Sequence, residues 1–155
     1  MAEDGHRAVH LTITSTPEMP DFVQVVGDHF ARGAGLDEDA LHWVSVAVRE
    51  CIVNAIKHGN QYDVDRRVFV DFEVRPLTDC VELLIRVRDQ GEGFDPEEVA
   101  DPLAPENLLR TSGRGIFLIR SFMDEMILQR AKEGGMEVVM VKRASPVQDP
   151  GCLSA

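Results

Sequence analysis

The spacing of apolar residues switches from helical to alternating near Gly59, and that switch limits the possible folds more than any other feature of the chain. Ahead of it, Leu41, Val44, Val48, Cys51, Ile52 and Ala55 recur on one stripe, with Asp37 placed as an N-cap and Gly59 as the stop of a long helix. Beyond it, Val68, Val70, Phe72 and Val74 alternate with Arg67, Asp71, Glu73 and Arg75. Val81, Leu83, Ile85 and Val87 then alternate with Glu82, Arg86 and Arg88. Side chains on a strand point to opposite faces in turn, so these are two half-buried strands, joined as a hairpin.

The flanks extend the pattern. Val9, Leu11 and Ile13 predict a short first strand, and Phe22, Val23, Val26 and Phe30 a first helix that starts near Pro17 and ends in the Gly33 to Gly35 break. Ile116 to Met123 predicts a third helix, and Met126–Ala131 and Met136–Arg143 a closing strand pair around Gly134 and Gly135. Helices and strands come in runs instead of strict alternation. That order predicts an α+β two-layer sandwich, with a mixed, mostly antiparallel sheet carrying its helices on one face. From Phe94 to Gly113 the chain has Pro96, Pro102 and Pro105 and little periodicity, and is read as a mobile lid. One domain is expected over residues 8–143, with loose ends at 1–7 and 144–155.

Composition narrows the partners. A formal net charge of -11 over 155 residues opposes nonspecific binding to nucleic acid or anionic lipid, both of which need surplus Lys and Arg. No stretch approaches the roughly 20 apolar residues of a membrane span, and Met1 to His10 lacks the apolar core of a signal peptide, so a cytoplasmic protein is expected. Cys51, Cys80 and Cys152 are far apart and form no CxxC pair, which predicts reduced thiols and no zinc site.

Three clusters carry chemistry. On a regular helix advancing about 100° per residue, Glu50, Asn54, Lys57 and His58 fall within about a quarter-turn, on a polar face bordering the apolar stripe. An Asn amide oxygen there can ligate Mg²⁺, and a Glu can orient or deprotonate an attacking hydroxyl, the two groups that phosphoryl transfer asks of a protein. The same residues also fit an ordinary solvated face. Asp89 continues the inward row of Val81, Leu83, Ile85 and Val87. A buried carboxylate needs a donor, and the exocyclic amine of a purine would serve, although a strand-end Asp can also cap a turn. Gly91, Gly93 and Phe94 follow at once and would let a flat ligand approach the backbone. Ser112, Gly113, Arg114 and Gly115 precede the third helix, where free N–H groups and the dipole favour an anion such as a triphosphate; a lid hinge would use the same residues.

Taken in order, Glu50-x-x-x-Asn54-Ala55-x-x-His58-Gly59, Asp89-x-Gly91-x-Gly93-Phe94 and Gly113-Arg114-Gly115 resemble the N, G1 and G2 boxes of GHKL ATPases, the Bergerat fold. The small size, the short lid and the run Gly113 to Glu125 are similar to the anti-sigma-factor serine/threonine kinases. The resemblance spans about residues 8 to 143.

It implies ATP and Mg²⁺ as ligands, Glu50 as general base, Asn54 on the metal and Asp89 on adenine. Lys57, His58, Gly59, Gly91, Gly93, Phe94, Thr111, Ser112, Gly113, Arg114 and Gly115 would enclose the nucleotide. Either Arg110 or Arg114 would act on the transferring phosphate. It further implies a homodimer that phosphorylates a STAS-type anti-anti-sigma antagonist and sequesters a sigma factor, without touching DNA.

Such domains often carry Gly-Thr in the last strand pair to help hold the adenine, whereas here Gly135 precedes Met136. A catalytically silent ATP-binding module that controls a partner by nucleotide-dependent binding is the alternative. A detached histidine-kinase half would need an acceptor hairpin, for which the residues ahead of the first strand leave no room, and a chaperone or topoisomerase piece would need a transducer segment.

Overall fold

Residues 5–93 and 119–145 are described by the structure, a computed structural model. β1 (Arg7–Thr14) leads into α1 (Met19–Gly33) and α2 (Glu38–Asn54), and α2 runs on into a π-turn, Ala55–Gly59. β2 (Arg67–Pro76), β3 (Val81–Arg88), β4 (Glu125–Arg130) and β5 (Met136–Ala144) complete an open sheet of order β1-β2-β3-β5-β4. All four pairings are antiparallel, the limiting case of the mostly antiparallel sheet expected.

Local chemistry sets the helix limits. Pro20, not Pro17, occupies the first turn of α1, where its missing N–H costs nothing; Pro17 lies in the turn ahead. α1 ends in a paired C-terminal cap, Leu36 N–H to Ala31 O at 3.4 Å and Gly35 N–H to Arg32 O at 3.0 Å, with Gly35 at φ +85°. Asp37 caps α2, its Oδ1 accepting from Ala40 N–H at 2.8 Å. Gln24 Nε2 donates to Ser45 Oγ at 2.6 Å, and Asp21 pairs with Arg49, so the two helices are pinned side by side.

The register places one row of each strand under the helices. Ile13, Val68, Val70, Phe72, Leu83, Ile85, Val87 and Met140 are buried there against Val23, Val44, Val48, Cys51 and Ile52. Phe30 stacks on Phe72 with ring centroids 5.9 Å apart. The opposite face carries a transverse ladder in which His10 bonds Asp71 at 2.7 Å, and Arg86 joins Asp71 at 3.7 Å to Glu137 at 3.2 Å. Cross-strand pairs of opposite sign therefore lie over the side away from α1 and α2. Residues 119–122 end a further helical segment, and Phe122 stacks on Trp43 of α2 at 3.8 Å with the planes 4° apart. The expected lid and the start of the third helix lie outside the described residues.

Candidate functional site

β3 delivers Asp89 to the inner face. Leu83, Ile85 and Val87 are at most 2% exposed and Asp89 is 5% exposed, so the inward row runs straight into an acid. The backbone ladder continues through it, with Asp89 N–H donating to Met136 O at 3.0 Å. Its carboxylate is held by two further backbone donors, Gly91 N–H at 2.9 Å and Met136 N–H at 3.1 Å, both to Oδ1. Among the described residues nothing donates to Oδ2, which leaves that oxygen to accept from a ligand N–H. Met136 thus meets Asp89 through its main chain, a contact that the missing hydroxyl does not affect.

Three glycines make room for this carboxylate. A Cβ on Gly59 would lie 2.5 Å from Asp89 Cγ, one on Gly91 would lie 2.8 Å from the Gly59 carbonyl carbon, and one on Gly135 would lie 2.7 Å from Asp89 Oδ1. Any side chain at these points would occupy the space of the acid or of the chain beside it. Gly93, at φ +75°, stands next to the Gly135 carbonyl. Residues far apart in the chain, the helix stop, the turn after β3 and the β4–β5 hairpin, therefore meet around one acid.

α2 brings the second cluster. Cys51 is buried and packs its Sγ 3.6 Å from Met140 Sδ on β5, which sets this part of the helix on the sheet beside the strand that holds Asp89. Burial, and then the neighbouring charge of Glu50, push the Cys51 thiol up to about 12, so it is an inert apolar filler at neutral pH. Glu50 and Asn54 flank it, each half-buried, and neither side chain has a hydrogen-bond or ion-pair partner among the described residues.

The four residues of the expected polar face lie on two kinds of helix, Glu50 and Asn54 on α2 and Lys57 and His58 in the π-turn. After Asn54 the helix widens, Asn60 N–H bonding Ala55 O at 2.8 Å, five residues back instead of four. Such turns put an extra residue into the helical circuit, so the regular-helix spacing no longer holds at Lys57 and His58, and both are exposed. The widening places Gly59 against Asp89. Phe94, Arg110, Thr111, Ser112, Gly113, Arg114 and Gly115 lie outside the described residues.

Asn60, Ser15 and Gln90 were not singled out by sequence reasoning. Asn60 is wholly buried and bonds Gln90 N–H, Ser15 Oγ and Arg67 O. A polar residue directly behind a helix stop was the available signal, but the sequence does not distinguish a buried amide from a solvated one.

Chemically, the site offers an inward acceptor suited to an exocyclic amine, a glycine-walled approach to it, and an Asn and a Glu near the same helix end whose heads have no partner among the described residues. Among the described residues no three His, Cys, Asp or Glu side chains form a metal cluster. The Asn54 amide oxygen is a hard donor of the kind that suits Mg²⁺. No described helix is long and apolar enough to cross a membrane.

Comparison with known proteins agrees with this geometry. The chain matches the histidine kinase-like ATPase domain over residues 13–142. It is 29% identical over 143 residues to the serine-protein kinase RsbW of Listeria innocua, covering 88% of this chain and 87% of that protein. It is also 29% identical over 141 residues to the serine-protein kinase RsbW of Staphylococcus epidermidis, covering 86% and 85%.

Proposed function

The chain belongs to the histidine kinase-like ATPase domain family, and from that premise we propose that it is an ATP-dependent protein serine/threonine kinase acting as an anti-sigma factor. It would phosphorylate a STAS-type anti-anti-sigma antagonist and hold a sigma factor in a partner switch. The observation that carries the nucleotide part is Asp89: a buried acid whose Oδ1 is occupied by two main-chain donors while Oδ2 stays available. The kinase part rests on Glu50 and Asn54 of α2, which have no partner among the described residues, and on serine-protein kinases among the relatives.

In this reading Asp89 Oδ2 accepts the adenine amine, and Gly91 and Gly93 let the base lie close to the main chain. Asn54 fits Mg²⁺, which when bound would neutralise phosphate charge. Glu50 takes the proton from a Ser or Thr hydroxyl as its oxygen bonds to the γ-phosphorus. The β–γ bridging P–O bond breaks, and ADP leaves with that electron pair. A lid arginine, Arg110 or Arg114, would stabilise the transferring group. A homodimer is the assembly proposed; the edges of β1 and β4, unpaired among the described residues, supply surfaces on which two copies could pair.

The test is to incubate wild type and Glu50→Ala with γ-labelled Mg-ATP and host lysate. Label on a Ser or Thr of one small protein, absent with Glu50→Ala, supports the kinase and identifies the antagonist. Bound ATP without label in either protein would instead make the chain a silent, nucleotide-tuned binding module. Transfer by Glu50→Ala at the wild-type rate would remove Glu50 as the base.

A further inference from the structure

Asn60 is the most completely engaged side chain in the described structure that the proposed reaction does not use. Its side chain is wholly buried. Nδ2 donates to Ser15 Oγ at 2.9 Å and to Arg67 O at 3.0 Å, and Oδ1 accepts from Gln90 N–H at 2.8 Å. Its own N–H closes the π-turn on Ala55 O at 2.8 Å, and its carbonyl accepts from Asp63 N–H at 3.0 Å. The partners are themselves tied: Ser15 Oγ donates to Arg66 O at 2.6 Å, and Gln90 Oε1 accepts from Arg67 N–H at 2.6 Å. One amide thus joins the end of β1, the end of the π-turn, the start of β2 and the exit of β3.

Burying an amide is costly unless every polar atom finds a partner, and an apolar residue could have filled the same volume. What an apolar residue could not do is hold the Gln90 peptide. That peptide separates Asp89 from Gly91, whose N–H grips Asp89 Oδ1, and the Gly91 backbone lies directly against Gly59. Orienting the Gln90 N–H sets the path by which Gly91 reaches the carboxylate, and so sets where Oδ2 points.

We infer that Asn60 is a positioning residue for nucleotide selectivity: by fastening the end of the π-turn to the exit of β3, it aims Asp89 at the purine without touching the nucleotide. The inference rests on Asp89 being the purine contact. ATP presents an amine donor at the purine 6-position, and ITP presents a carbonyl acceptor in its place. An aimed carboxylate therefore favours ATP, and a carboxylate free to swing favours it less.

Calorimetric titration of the full chain with Mg-ATP and Mg-ITP reads this as a ratio of affinities, which folding stability alone does not set. Asn60→Ala should lower the ATP-to-ITP ratio by about tenfold, the equivalent of one hydrogen bond to a charged group, chiefly by weakening ATP. Ser15→Ala cuts the strand side of the latch, leaves Asn60 on Gln90, and should keep the wild-type ratio. An unchanged ratio in Asn60→Ala, or an equal fall in Ser15→Ala, overturns the inference.

Asp89→Asn tests the underlying reading separately. Turned so that its oxygen keeps the two backbone donors, the amide places an N–H₂ where Oδ2 stood and should shift preference toward ITP; no shift there means Asp89 does not read the purine at all. Should Asn60→Ala fail to fold, hydrogen exchange on the wild type without nucleotide decides. Gln90 N–H should exchange as slowly as Val87 N–H inside β3, and exchange at the rate of an open loop would overturn the inference.

Discussion

Replacing Gly59 with alanine tests the geometry around Asp89 with a single methyl group. The backbone at Gly59 is not left-handed, so alanine is conformationally allowed, and by helix propensity alone the change would favour folding by about 1 kcal/mol. The obstacle is contact: the new Cβ would lie 2.5 Å from Asp89 Cγ, where unstrained carbons stay roughly 3.5–4.0 Å apart. The carboxylate must retreat by about 1 Å. That carries Oδ1 beyond bonding range of Gly91 N–H and Met136 N–H, now at 2.9 and 3.1 Å. Two hydrogen bonds to a charged acceptor contribute about 1.5–3 kcal/mol each, so after the propensity gain the net loss is about 2–5 kcal/mol. In a chain of this size that lowers Tm by roughly 5–20 °C. Thermal unfolding with and without saturating ATP is the assay, and the displaced acceptor should weaken ATP binding by at least about tenfold. Gly134→Ala is the control, because its Cβ would meet nothing within 4 Å and only the positive φ opposes it, at about 1–2 kcal/mol. Gly59→Ala melting within about 2 °C of wild type, with unaltered ATP affinity, would refute the reasoning, since it would mean that Asp89 is not enclosed as described.

Three further outcomes are expected. Cys51, raised to about 12 in the fold from an ordinary 9.0, keeps its proton where the unfolded chain loses it, so its contribution is complete below pH 9 and is lost between about 9 and 12. Urea unfolding at pH 8 and pH 10 should therefore show wild type losing about 1 kcal/mol more than Cys51→Ala, and equal losses would contradict its burial. Phe72→Ala, at a fully buried position stacked on Phe30, should cost about 3–5 kcal/mol in the same assay, and a loss below about 1 kcal/mol would mean that the helices do not rest on this ring. Trp43 is the single tryptophan, and it stacks on Phe122. Phe122→Leu should shift its emission and cost about 0.5–1.5 kcal/mol beyond lost area, while an unchanged spectrum would dismiss the stack.

Much of the molecule was legible in residue spacing because the signals are local. Alternation at Val68 to Val74 and at Val81 to Val87 marked β2 and β3, and the same period carried on to Asp89, placing an acid on the buried side before any contact was known. Asp37 acts within three residues of its own position, so its capping role could be read directly. Lys57 and His58 mark the limit of that reading. A regular helix would fix their bearing relative to Glu50 and Asn54, but the π-turn over Ala55–Gly59 changes that spacing, and Gly59 at its end lies against Asp89, thirty positions along the chain.

The sequence alone determined the order of elements, the inward face of each strand and the identity of the acid, because periodicity, capping and turn chemistry act over a few residues. Only the tertiary structure decided that Gly59, Gly91 and Gly135 converge on Asp89, that Oδ1 is taken and Oδ2 left available, and that Asn60 is a buried latch instead of a solvated helix end. The physical reason is that burial and hydrogen-bond satisfaction belong to surroundings assembled from distant segments. An amide is written identically in the sequence whether water or three chain segments will surround it.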